Sequence, residues 1–161
     1  MIAVYISLSI SIVFISFIVG MVITAVVQKT DFYKKTLSNL NFLESEKLNT
    51  LIGVGAVRWL VRNTFFKIFN PNIKIPRGAN SADLRRIRDE MTKAEIGHLS
   101  AFLFVTLFMI MKIFQQEYTF AVVILAVNVL MNLCPSLLQQ QNKRRLDGVI
   151  SRMTKILRSK T

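Results

Sequence analysis

The chain is poor in the residues that build disulfides and metal sites. Its 161 residues include one cysteine, Cys134, and one histidine, His98. A lone cysteine excludes an internal disulfide, and one Cys with one His excludes a zinc pattern. His98 with carboxylates has no metal-ligand spacing, so no metal is expected. Acidic residues are scarce too: nine Asp and Glu stand against 21 Lys and Arg, a formal charge of +12. Between residues 2 and 27 there is no charge at all. A nucleic-acid binder would share the basic balance but not the long uncharged apolar runs, so nucleic acid is not expected as a partner.

What is present is mostly apolar, 52% of the chain, with a mean hydropathy of +0.44. Apolar runs with basic flanks point to a membrane beside an anionic leaflet. Crossing a hydrocarbon core of ~30 Å takes roughly 20 helical residues, which residues 2–27 provide. That run lacks a basic leader and is too long for a cleaved signal, so it reads as a retained helix. A second span covers 99–114, where Lys112 lies close enough to the interface to snorkel. A third covers 118–138, and Gln115, Gln116 and Glu117 make the link a tight hairpin. The expected fold is an all-α integral membrane domain over 1–161 with three spanning helices.

Charge sets the orientation. Thirteen Lys and Arg fall in 29–93, seven in 143–160, and Lys112 stands alone at the hairpin tip. Three spans place both basic blocks on one side, and the positive-inside rule makes that side cytoplasmic. The N-terminus is then outside. Residues 29–98 form a cytoplasmic or interfacial segment, and 142–161 a basic cytoplasmic tail.

Residues 51–69, LIGVGAVRWLVRNTFFKIF, mix aromatics with Arg58, Arg62 and Lys67. The run suits a helix lying in the headgroup region; Gly53 and Gly55 favour a re-entrant segment instead. Asn70, Pro71, Asn72, Pro76, Gly78 and Asn80 then read as a loop. An amphipathic helix over 81–97 follows, capped by Asn80 or Ser81, with Asp83 in its first turn. Its apolar face is Leu84, Ile87, Met91 and Ala94, and that face continues to Glu95 and His98.

Glu95 precedes His98 by three residues, so the two are neighbours on a helix. A carboxylate beside an imidazole favours the imidazolium and fixes its tautomer, the pairing a general base requires. The same pair also reads as an interfacial His with a surface ion pair. Asn128, Asn132, Pro135, Gln139 and Asn142 form one stripe of the third span. Amides in hydrocarbon should turn inwards, to a site or to another helix. Pro135 should kink that helix. In an antiparallel hairpin, Glu95 and His98 meet Gln139, Asn142 and Arg145 at the cytoplasmic end.

At these residues the chain resembles the glycosyl-4,4′-diaponeurosporenoate acyltransferases, small bacterial membrane proteins. VRWLVRNTFFKIFN, from Val57, is similar to an aromatic and basic segment around a [KR]-W pair. EMTKAEIGH, from Glu90 to His98, resembles M-x-[KR]-A-E-x-x-H. NLCPSLLQQQNKRRL, from Asn132, resembles N-x-x-P-x-x-x-Q-R-Y-N-R-x-R-L. The match runs over roughly the last two-thirds of the chain. Gln140 and Gln141 depart from its Arg-Tyr, Lys143 from an Arg, and Leu99 from a frequent Trp. The resemblance implies Glu95, His98, Asn132, Gln139, Asn142 and Arg145 as site residues.

The function expected is acyl transfer from a thioester to a hydroxyl of a lipid-like acceptor, with no other cofactor. His98 acts as base with Glu95. Asn128, Asn132, Gln139 and Asn142 hold the acceptor or an oxyanion. Arg145, Arg58 and Arg62 attract phosphates or headgroups. The expected partners are membrane lipids, the acyl donor and the acceptor; the expected location is the bacterial cell membrane. A small non-catalytic subunit of a membrane complex, with a membrane-protein partner or a second copy, is the alternative from a different class.

Overall fold

A computed structural model of the chain describes residues 1–42, 45, 53–63 and 80–159. Its elements are α1 (Ile2–Val27), α2 (Asp31–Lys35), a 3₁₀ turn (Leu37–Asn39), α3 (Val54–Asn63), α4 (Ser81–Phe114), α5 (Tyr118–Asn128), a π turn (Val129–Leu133) and α6 (Cys134–Arg158). Among the described residues every regular element is helical, and three helical stretches are long and apolar enough to cross a membrane. This is an all-α integral membrane fold. The expected turn residues Pro71, Asn72, Pro76 and Gly78, and the part of the aromatic segment from 64 to 69, lie outside the described residues.

The spans differ from expectation in where they end. The helix expected over 81–97 and the span expected over 99–114 are one helix, α4, of 34 residues. At ~1.5 Å per residue this is roughly 50 Å, well beyond the hydrocarbon thickness. Nothing between 94 and 100 breaks it, because Gly97 alone lowers helix propensity without ending a helix. Its start follows the sequence signal: the Asn80 side chain accepts from the Ala82 and Asp83 amides, and Asp83 accepts from the Asn80 amide. This reciprocal cap satisfies donors that a helix N-terminus leaves open. Likewise the third span and the basic tail form one rod, α5–π turn–α6.

That rod carries its irregularity just before Pro135. In the π turn the Cys134 amide donates to the Val129 carbonyl, five residues back. Proline lacks a donor and crowds the preceding turn. A wider turn at this point relieves the crowding, and π turns recur at functional sites.

α1 packs against α4 through small residues. Ser9, Val13, Ser16, Gly20 and Thr24 are its buried positions. A Cβ on Gly20 would collide with the Gly97 carbonyl oxygen, so the two backbones touch. Close approach through small residues is how helices associate in lipid, where no hydrophobic force draws them together. The opposite side of α1 exposes Ile15, Ile18, Met21, Val22 and Val26. Along with Leu103, Leu107 and Val122 these form the lipid-facing surface.

Beyond the membrane the antiparallel helices stay together. Leu84 and Met91 of α4 pack with Leu146 of α6, flanked by Ile87, Val149, Ile150 and Met153. α3 leans on the same rod: Val54 and Val57 pack against Cys134, Leu137 and Leu138. Trp59 on α3 is 64% exposed. α2 seats Tyr33 against α4; burial, then the nearby Asp89 carboxylate, pushes this phenol up to about 12.

Candidate active site

Two polar clusters lie along the seam between α4 and the α5–α6 rod. The deeper one is built on the amides. Asn128 donates from Nδ2 to the Phe102 carbonyl at 3.0 Å and to Thr106 Oγ1 at 3.4 Å. Asn132 donates from Nδ2 to Asn128 Oδ1 at 2.9 Å and to Ser16 Oγ at 3.4 Å. Asn128, Asn132 and Ser16 are fully buried. The expected inward turn of the upper stripe is therefore present, and it ties α1, α4 and the rod together.

His98 stands beside this cluster. Its ring makes an edge-on contact with Phe17 of α1, centroids 5.6 Å apart. The Asn132 side chain lies next to the imidazole. Neither His98 Nδ1 nor Asn132 Oδ1 has a hydrogen bond within the chain, and both atoms are buried.

The second cluster surrounds Glu95, which is fully buried. Gln140 donates from Nε2 to Glu95 Oε1 at 2.8 Å. The Lys143 ammonium lies 2.5 Å from Oε2 as an ion pair, and it also donates to the Ser38 carbonyl at 3.2 Å. Arg88 holds Asp147 through two nitrogens, at 2.6 and 3.2 Å, and also donates to the Ser38 carbonyl at 3.3 Å. One carbonyl in the 3₁₀ turn thus accepts from cations on α4 and α6. Beside it lies a cleft of about 370 Å³ lined by Ser38, Arg85, Arg88, Thr92 and Asp147 among others.

The geometry changes the expected partnership of Glu95. On an α-helix, side chains three apart differ in direction by about 60°. That rotation aims Glu95 at α6 and His98 at α1. The carboxylate binds Gln140 and Lys143, and the group beside His98 is Asn132.

The remaining expected residues are spread out. Gln139 is buried and its Oε1 has no partner, while Asn142 is half-buried. Arg145 is exposed. Arg58 bonds to Gln141 Oε1, which joins α3 to α6. Arg62 lies on α3. The structure brings His98 together with Asn132 and Asn128, and Glu95 with two residues outside the expected set. Gln140 and Gln141 lie off the amide stripe but are buried, because α4 covers one side of α6 and α3 another. Missed as well were Ser16, Ser38 and Lys143. The Ser9, Ser16, Gly20 and Thr24 stripe was legible on α1 as small residues seven and four apart. Lys143 looked like any cation of the flank. Among the described residues, no three His, Cys, Asp or Glu side chains come together as metal ligands.

Three apolar helices, a buried amide network at a lone histidine and a buried ion pair at the basic end define a small polytopic helical membrane protein with an enclosed polar site. The chain belongs to the glycosyl-4,4′-diaponeurosporenoate acyltransferase family, whose model matches residues 29–152. The match covers every polar residue named above except Ser16. The family's name denotes an acyltransferase for a glycosylated carotenoid. Among curated proteins and solved structures, none matches the chain.

Proposed function

We propose that this protein is an acyltransferase of the bacterial cell membrane. It moves a fatty acyl group from a thioester to a hydroxyl of a lipid-like, glycosylated acceptor. The observation that carries the reading is His98: the sole imidazole, partly exposed, with an amide rather than a cation as its polar neighbour. Family membership supplies the reaction class.

With Nδ1–H directed to Asn132 Oδ1, Nε2 is the free base. It takes the proton of the acceptor hydroxyl as the oxygen attacks the thioester carbonyl. The tetrahedral intermediate collapses with loss of the thiolate, and the imidazolium returns the proton. Asn132 does for His98 what was expected of Glu95: it fixes the ring and tautomer. Gln139 and Asn142 contact the acceptor headgroup. Arg145, Arg58 and Arg62 draw anionic headgroups or donor phosphates to the basic end, which faces the cytoplasm. Acyl chains lie along the apolar faces of the helices.

The test is acyl transfer in isolated membranes, with labelled acyl thioester and a glycolipid acceptor. His98→Ala is expected to lower the rate about 10²–10⁴-fold at equal protein level. Full activity in that variant removes His98 as the base.

A second reading rests on the amide network. The Nδ2 groups of Asn128 and Asn132 both bond to neighbouring side chains or backbone, as in helix-to-helix glue. A non-catalytic subunit fits that use. It predicts a stoichiometric partner that survives detergent purification and no turnover by the protein alone.

A further inference from the structure

Between the two clusters runs a line of buried polar atoms that have no partner in the chain. Ser136 Oγ is one of them, on a fully buried residue of α6. It lies one helical turn from Asn132 on one side and from Gln140 on the other, so the three share a face. Asn132 Oδ1, Ser136 Oγ and Gln140 Oε1 are all unpartnered. Across the seam on α4, His98 Nδ1 is unpartnered at one end, and Glu95 at the other end is already bound to Gln140 and Lys143. Two amide oxygens, one hydroxyl and one ring nitrogen thus follow each other from the histidine to the ion pair.

Buried polar groups in folded proteins are almost always hydrogen-bonded, and each one left without a bond costs about 1–3 kcal/mol. Amide oxygens only accept, so whatever satisfies them must donate. The atoms are sealed from the surface, which excludes a headgroup and leaves a very small donor. We infer that the seam between α4 and α6 binds ordered water, which joins His98 to the Glu95–Lys143 pair and carries the proton of His98 to the basic end.

The binding site stands on geometry; the proton route rests on the acyl-transfer reading above. In that reaction the acceptor O–H bond breaks and a C–O bond forms, while the thioester C–S bond breaks. The proton taken by His98 then has two routes to the thiolate. It returns directly, or it leaves through Ser136 and its waters to the solvent at the basic end, where the thiolate departs. Either route balances. The second frees the imidazole without waiting for the leaving group.

His98 is the only histidine, so ¹⁵N-histidine labelling reports a single ring. The experiment is water-edited solid-state NMR of the full chain in lipid bilayers. Magnetisation should pass from water to the His98 ring in the parent protein. Ser136→Val should reduce it several-fold, and Ser136→Thr, which keeps the hydroxyl, should restore it. Ser136→Ala serves as the smaller substitution where valine prevents folding. A dry His98 ring, or one whose transfer is unchanged in both Val and Ala variants, overturns the site. A hydrated ring whose signal changes only with added acceptor overturns water as the ligand in favour of the acceptor's hydroxyl. In parallel, Ser136→Val is expected to lower the acyl-transfer kcat about tenfold with KM unchanged. Hydration lost with kcat intact overturns the proton route. Hydration intact in a parent protein that transfers no acyl group overturns the acyltransferase reading and leaves the water site standing.

Discussion

Glu95 and Lys143 are the residues whose surroundings say most about them. A buried carboxylate and ammonium lose hydration that their mutual attraction only partly returns. Gln140 and the Ser38 carbonyl make up part of the difference. Removing one partner leaves a buried charge uncompensated, at about 3–5 kcal/mol, whereas replacing both is often nearly neutral. Lys143→Met is therefore expected to lower the thermal unfolding temperature sharply, and Lys143→Met with Glu95→Gln to recover most of the loss. Equal, additive losses in the two single variants and the double variant would mean that the pair is not coupled. Sequence spacing placed Glu95 beside His98 along the helix, and that much holds. Which way each side chain points depends on what packs against α4, and no spacing within α4 contains that information.

At the scale of elements, the crossing of α1 with α4 positions the histidine. Gly20 lets the two backbones touch at Gly97, which brings Ser16 to Asn132 and Phe17 to His98. Gly20→Ala inserts a methyl group where the Gly97 carbonyl already sits. The helices must part, at a cost of about 1–3 kcal/mol for an overpacked contact. Purified Gly20→Ala protein should unfold at lower temperature and show reduced acyl transfer. A variant as stable and active as the parent would show that the crossing does not hold the site. The amphipathic pattern of 81–97 and the apolar run of 99–114 were both legible. Their fusion into one helix was not, because a change of environment along a helix looks in sequence like a change of element. The π turn escaped notice for a related reason. Pro135 signals a disturbance, but whether a helix answers with a kink or a wider turn depends on its neighbours.

For the whole molecule, the orientation in the bilayer follows from the charge map, and labelling can check it. Cys134 is the only cysteine and is buried, so introduced cysteines have little background. Gln116, at the hairpin tip, and Ser159, at the end of the basic rod, are both exposed. Gln116→Cys is expected to react with an impermeant maleimide in intact cells, and Ser159→Cys only after permeabilisation. The reverse pattern would place the Glu95 cluster and its cleft outside the cell.

Sequence by itself determined the membrane class, three apolar helices and a hairpin that gathers the basic residues at one end. These follow from composition, run length and charge sign, which act locally or by simple summation. It also singled out His98, Asn128 and Asn132, because an uncommon polar residue in an apolar span has to be accounted for. Tertiary structure alone decided the partners. It gave Glu95 to Lys143 and Gln140, set Asn132 beside His98, and drew Ser16 of α1 and Ser38 of the 3₁₀ turn into the polar clusters. The physical reason is direction: hydrogen bonds and ion pairs form where side chains from different helices converge, and the packing of those helices sets the angles.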